Sequence, residues 1–215
     1  MKKILIPILL LIFFLVGCNN NQNIYNDVEN DKSNHNFIEE NSISAKNEIE
    51  ITKVSTENQM PKLEEEIGKY STKIYDKDEE RQNNLQITCS KINEHIVKQG
   101  EIFSFEDIVG QATPKEGYKK AKIFDKQGNV EEGYGGGKCQ VSTTLFNAVR
   151  NLPGIEIIER HDHSNKVPYA KTGDDAAVAH GGYDFKFKNI NDYDIKLLAS
   201  TDGENVTVSI NKISK

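Results

Sequence analysis

The hydrophobic positions of this chain change their period several times, and each change marks an element. Residues 67–76, IGKYSTKIYD, alternate weakly between apolar and polar, which predicts a strand. From about 78 to 98 the period becomes helical. Leu85, Cys89, Ile92 and Ile96 recur at three and four residues, acidic residues crowd the start where a helix dipole favours them, and Gly100 offers a stop. Residues 101–110, EIFSFEDIVG, read as a strand or extended turn, and residues 117–137 as a hairpin turning at Lys126-Gln127-Gly128-Asn129. A second helix is predicted from about 139 to 151, with Val141, Leu145, Val149 and Leu152 on one face and Pro153-Gly154 as its stop. Residues 155–160 then read as a strand, 161–175 as a loop, and 176–190, 194–201 and 205–213 as strands, the last two joined by the turn Asp202-Gly203-Glu204-Asn205. About two helices packed on a mainly antiparallel sheet define an α+β class, here a single compact domain over 65–215.

The first 60 residues follow other rules. A basic start, MKK, leads into the apolar run ILIPILLLIFFLV and then Gly17-Cys18, a secretory signal pattern of lipobox type, with Cys18 as the residue that receives lipid after cleavage. The alternative is an uncleaved anchor, for which the run is short against the ~20 residues a span needs. Residues 19–60 are rich in Asn, Glu, Asp and Ser without apolar periodicity, so they read as a flexible tether, His35 included. About 40 such residues let the domain range roughly 30–40 Å from its anchor. The expected location is the extracytoplasmic face of the cell membrane, held by lipid. A net charge of −6, and no Lys/Arg run longer than two, argue against a nucleic-acid partner.

The chemistry concentrates in GYGGGKCQVSTTLFNAV, 133–149. The glycines do not make a phosphate cradle: Gly137-Lys138 is followed by Cys139 instead of Ser or Thr, and Glu132 stands where that motif needs its first glycine. A dinucleotide fingerprint also fails, and no cofactor is expected. What remains is a thiol at a helix start, where the dipole and free N–H groups favour thiolate. Gly135, Gly136 and Gly137 leave room for a substrate backbone, and the Gln140 amide is a candidate oxyanion donor. His161 and His163 follow the predicted strand; were it to continue through them, both imidazoles would share a face as candidate bases. Asp175 is the candidate orienter. The order Cys, His, Asp is that of papain-like and transglutaminase-like enzymes, an analogy of order alone.

Two other readings of the same residues stay open. His161 and His163 with Cys139, Asp175 or His180 are ligand types for zinc, although no close Cys-x-x-Cys or His-Glu-x-x-His supports a metal. Alternatively, residues 161–164 form a polar turn, Cys139 is a packed helix cap, and the domain binds without turnover. Cys89 lies on the buried helical stripe and reads as a small core residue; pairing with Cys139 outside the membrane is a further possibility. His95 reads as structural.

FSFEDIVGQAT, GYKKA, GGGKCQVSTTL, ERHDHS and GDDAAV together resemble the VanW family of bacterial envelope proteins over about 67–200. Gly135, Gly136, Gly137, Cys139, Gln140, Ser142, Thr143, Arg160, His161, His163, Ser164, Gly173 and Asp175 fall on the family pattern. The resemblance implies a ligand loop containing Gly135, Gly136, Gly137, Ser142, Thr143, Arg160 and Ser164. It also implies an envelope setting, with cell-wall peptidoglycan or an envelope protein as partner, and does not supply a reaction. The chain departs from the pattern in three places. Asp174 replaces an arginine and sets two carboxylates side by side. His180 stands where tyrosine is common, and residues 98–101 lack a proline before Gly100. The whole reads as a minimal version, one VanW-like domain on a lipid-anchored tether.

Overall fold

The computed structural model describes residues 63–124 and 129–214; the signal pattern, the lipidation residue Cys18, the tether and most of the predicted hairpin turn lie outside them. Strand β1 (Glu64–Lys73) leads to helix α1 (Glu79–Ile92) and the short strands β2 (His95–Val97) and β3 (Ile102–Ser104). Helix α2 (Phe105–Val109), a 3-10 turn at Pro114–Glu116, and strands β4 (Lys120–Phe124) and β5 (Val130–Tyr134) follow. After α3 (Lys138–Val149) and β6 (Ile155–Glu159), a long irregular stretch reaches β7 (Lys186–Asn189), β8 (Asp194–Thr201) and β9 (Asn205–Ile213). Three antiparallel sheets result, ordered β1-β9-β8-β2, β3-β7-β6 and β4-β5. The class is α+β, as the periodicity predicts, with three α-helices among the described residues.

The strand alternation works as expected in β8 and β9. Ile195, Leu197 and Ala199 of one, and Val206, Val208 and Ile210 of the other, are buried on one face while their neighbours, Ser209 excepted, are more exposed. Their turn is held by Asp202, whose Oδ1 accepts from Glu204 N and Asn205 N at 2.8 and 2.6 Å. Helix α3 lies against β1, β9 and α1. Apart from Cys139, every residue of α3 is buried, which is the behaviour of a helix enclosed by the core. At Gly68 the approach is so close that a side chain would meet Ala148 O at 2.9 Å.

Three elements differ from the sequence expectation. Helix α1 stops at Ile92, not near 98, because Asn93 and Glu94 turn the chain to join the sheet edge. Glu94 takes a left-handed φ of 65°, Asn93 Oδ1 accepts Ala199 N at 3.0 Å, and His95–Val97 pair with β8. Ile96, in register with the helical stripe, is therefore exposed, and the His95 ring meets Phe103 edge-on. Segment 101–110 divides into a strand and a helix, with Ser104 capping α2 by accepting from Asp107 N at 3.1 Å. Of the predicted strand 176–190, only Lys186–Asn189 pairs; Ala176 and Ala177 thread beside α3 as irregular backbone.

Candidate active site

Cys139 is the second residue of α3, half-buried, on the wall of a cleft of about 460 Å³. As a thiol, its Sγ–H donates to Val178 O at 3.4 Å. Gly135, Gly136 and Gly137 line the cleft, and the last two also pack tightly against their neighbours. Gly137 caps the helix with φ +119°, a region where only glycine is unstrained, and the Leu85 side chain occupies the space a Cβ would need. At Gly136 a Cβ would stand 2.8 Å from Lys122 O and 2.9 Å from the Ala121 side chain, so β4 lies directly on the loop. Asn84 of α1 clamps both, donating to Gly136 O and Lys119 O and accepting Lys119 N. The first-turn amides of Gln140 and Val141 reach Gly137 O and that of Lys138 reaches Gly135 O; among the described residues the Cys139 N–H meets no such carbonyl.

The sulfur has one imidazole partner. His163 lines the same cleft as Cys139, close enough that each shifts the other's ionisation. Its Nδ1 lies 2.6 Å from Asp175 Oδ2, and its backbone N–H donates to the same oxygen at 2.7 Å. The carboxylate therefore accepts a hydrogen bond from Nδ1–H, which leaves Nε2 as the free ring nitrogen. Asp175 is 4% exposed. Arg160 secures its other side, donating from Nε to Asp175 O at 2.6 Å and from Nη2 to Oδ1 at 3.3 Å. Tyr169 sets its ring edge-on to His163 and lines the cleft.

The ionisation states follow from these contacts. Burial pushes the Cys139 thiol up, but the neighbouring His163 imidazole, aided by the Lys138 ammonium, brings it below the ordinary thiol range. Burial alone would lower His163; the Cys139 sulfur and the Asp175 carboxylate hold it above the usual imidazole range. Asp175 is raised by burial and lowered further by its bonds to His163, ending below the usual carboxylate range. All three shifts favour a thiolate–imidazolium pair backed by a carboxylate. Cys89 is the contrast: fully buried in the core, with burial alone pushing it up to about 12. Both thiols are free, so no bond joins Cys89 to Cys139.

Several candidates named from the sequence fall elsewhere. β6 ends at Glu159, and the two histidines diverge instead of sharing a face. His161 stacks on Tyr183 at 4.4 Å and its Nε2 meets Glu159 Oε1 at 2.9 Å, away from the thiol. Among the described residues no three His, Cys, Asp or Glu side chains are grouped to hold a metal ion. The Gln140 side chain is not an oxyanion donor. It is 1% exposed, and its amide N–H groups go to Thr72 Oγ1 and Lys73 O, both at 3.1 Å. Ser142 and Thr143 are fully buried and do not line the cleft. Thr143 instead grips Ala176, its Oγ1 accepting Ala176 N at 3.0 Å. Arg160 is committed to Asp175 and Asp162, and Ser164 is exposed behind His163 beside a smaller cavity. The paired carboxylates do not simply repel, because each has its own arginine: Asp174 meets Arg150 at 2.5 Å while Asp175 has Arg160.

Other contributors escaped the sequence reading. Lys138, 8% exposed at its side chain, pairs with Glu106 Oε1 at 2.8 Å and donates to Gly110 O, tying α2 to the base of α3. The capping pattern Ser104-x-x-Asp107 was the signal for α2. Arg81 of α1 also lines the cleft; in the sequence it is hidden in a charged helix start.

A helix-borne thiol, an imidazole and a carboxylate in series define a Cys-His-Asp site on an α+β scaffold. The chain belongs to the VanW-like protein family, whose model matches residues 80–211. It is 39% identical over 146 residues, 68% of its length, to the uncharacterized protein YoaR of Bacillus subtilis (strain 168), covering 48% of that protein. It is 30% identical over 128 residues, 57% of its length, to the vancomycin B-type resistance protein VanW of Enterococcus faecalis (strain ATCC 700802 / V583), covering 46% of it. The chain thus spans about half the length of these relatives. No solved structure matches it.

Proposed function

We propose that this chain is a thiol acyl-transfer enzyme of the cell envelope, with peptidoglycan peptides as substrates. The observation that carries the reading is the series Cys139–His163–Asp175 opening on a cleft. Thiolate Sγ attacks a peptide carbonyl, forming a C–S bond and a tetrahedral oxyanion. The Cys139 N–H, at the positive end of α3, is placed to receive that oxyanion. Collapse breaks the C–N bond; the leaving amine takes the proton held on His163 Nε2, and an acyl thioester remains. Water or an acceptor amine then attacks the thioester and gives up a proton to His163 as the sulfur leaves. Asp175 keeps the imidazole in the required tautomer throughout. The peptidoglycan setting draws on the family and on a relative's name, which ties that protein to vancomycin resistance. Lipid attachment at Cys18 on the outer face of the membrane is the accompanying proposal for location.

The test is incubation of the full chain with peptidoglycan fragments, with released and covalently held peptides followed by mass spectrometry. Cys139→Ala and His163→Gln are expected to lose at least about a thousandfold in turnover, while His161→Gln keeps activity within a few-fold. Wall-peptide binding with no turnover by the unmodified chain, and full cellular function in Cys139→Ala, would instead establish a binding module.

A further inference from the structure

The cleft beside Cys139 is lined by several basic side chains, and all but one have an acidic partner. Lys122 is held by Asp76 and Asp78 at 3.6 and 3.0 Å. Lys138 is held by Glu106 at 2.8 Å, His163 by Asp175 at 2.6 Å, and His180 stands 3.5 Å from Glu106 Oε2. Arg81 is the exception: among the described residues no carboxylate lies in salt-bridge range of its guanidinium. Its Nε is closed off from solvent without any hydrogen-bond partner. Arg81 is therefore a cleft-lining guanidinium whose charge no described carboxylate balances.

The guanidinium is nevertheless fixed. Arg81 Nη2 donates to Gln140 Oε1 at 2.8 Å, and Gln140 is itself immobilised by Thr72 and the Lys73 carbonyl. Gln140 follows the nucleophile directly in the chain, so one turn of α3 sets both the sulfur and the arginine. Tyr169, edge-on to His163, lines the same cleft as Arg81 and Cys139. Tyr75, Val130 and Tyr134 supply apolar wall nearby.

We infer that Arg81 is the anchor for a free carboxylate on the substrate, which makes the preferred acyl donors peptides whose C-terminal carboxylate lies close to the scissile bond. A carboxylate matches the guanidinium fork and supplies the counter-charge that no described side chain provides. Gln140, Thr72 and Lys73 are then positioning groups for specificity. The inference rests on Cys139 being the nucleophile, and the experiment separates the two.

Alkylation of Cys139 by iodoacetamide is followed by mass spectrometry on the full chain. N-acetyl dialanine peptides of both stereochemical series are present at millimolar concentration, with either a free or an amidated C-terminus. Each rate is normalised to the same protein without peptide. The free-carboxylate form is expected to protect about tenfold better than its amide. Arg81→Gln should erase that difference, and Arg81→Lys should keep part of it. Equal protection by free and amidated peptides in the unmodified chain, or protection by neither, overturns the assignment of Arg81 even if Cys139 reacts fast. A Cys139 that reacts no faster than free cysteine overturns the nucleophile itself.

Discussion

At the scale of single residues, function turns on which groups face one sulfur. His163 and His161 are two positions apart, yet only His163 reaches Cys139, because Asp175 Oδ2 takes both its backbone N–H and its ring nitrogen. The direction of the Cys139 shift makes a pH prediction. Iodoacetamide alkylation of Cys139 should reach half its maximal rate below the ~8.5 of a free thiol. In His163→Gln the burial that raises the thiol stays and the imidazole that lowers it goes, so the midpoint should move above 8.5. A midpoint unmoved by this change would show that the imidazole does not control the sulfur. The Asp175 carboxylate acts through His163. Asp175→Asn should cut turnover by roughly 10³–10⁴ while Cys139 stays on the same helix turn, with imidazole NMR shifts reporting the changed tautomer.

At the scale of elements, α3 carries two kinds of information. Its apolar positions were legible from spacing, since Val141, Leu145 and Val149 are fully buried. Its polar stripe was not. Thr143, Asn147 and Arg150 hold Ala176 N, Asp174 O and the Asp174 carboxylate, so one helix face fixes the segment that bears Asp175. Nothing in helical periodicity says which loop a buried threonine will meet. Thr143→Val preserves shape but strands the Ala176 N–H. The expected cost is about 1–3 kcal/mol in urea unfolding, with slower Cys139 alkylation from a loosened Asp175. The end of α1 illustrates the opposite failure. Ile92 and Ile96 have perfect i, i+4 spacing, but Asn93 and the left-handed Glu94 redirect the chain to pair with β8, and sheet pairing outweighs local propensity. Segment 176–185 reads as a strand by composition. Its backbone groups are satisfied instead by Thr143, by the His161 carbonyl and by a local turn.

At the scale of the whole molecule, the site is a junction of separated pieces: α1 supplies Arg81 and Asn84, α3 the sulfur, and the irregular stretch between β6 and β7 the imidazole and carboxylate. The glycine loop is where α1, β4 and the start of α3 touch. Gly136→Ala would force a Cβ against the β4 backbone at Lys122, which cannot give way as a flexible side chain could, and about 1–3 kcal/mol of destabilisation is expected in thermal or urea melts. A Gly136→Ala protein as stable as the original would mean the hairpin moves freely over the loop. The amino-acid order alone established the α+β class, most strands, the core face of α3, a thiol at a helix start, and the kinds of side chain available to it. These rest on local periodicity and turn chemistry, which act over a few residues. Which histidine meets the thiol, why Gln140 holds an arginine, and how Asp174 and Asp175 coexist were settled by contacts spanning tens of residues along the chain. Such contacts depend on how helices and strands pack, and no local spacing encodes that distance.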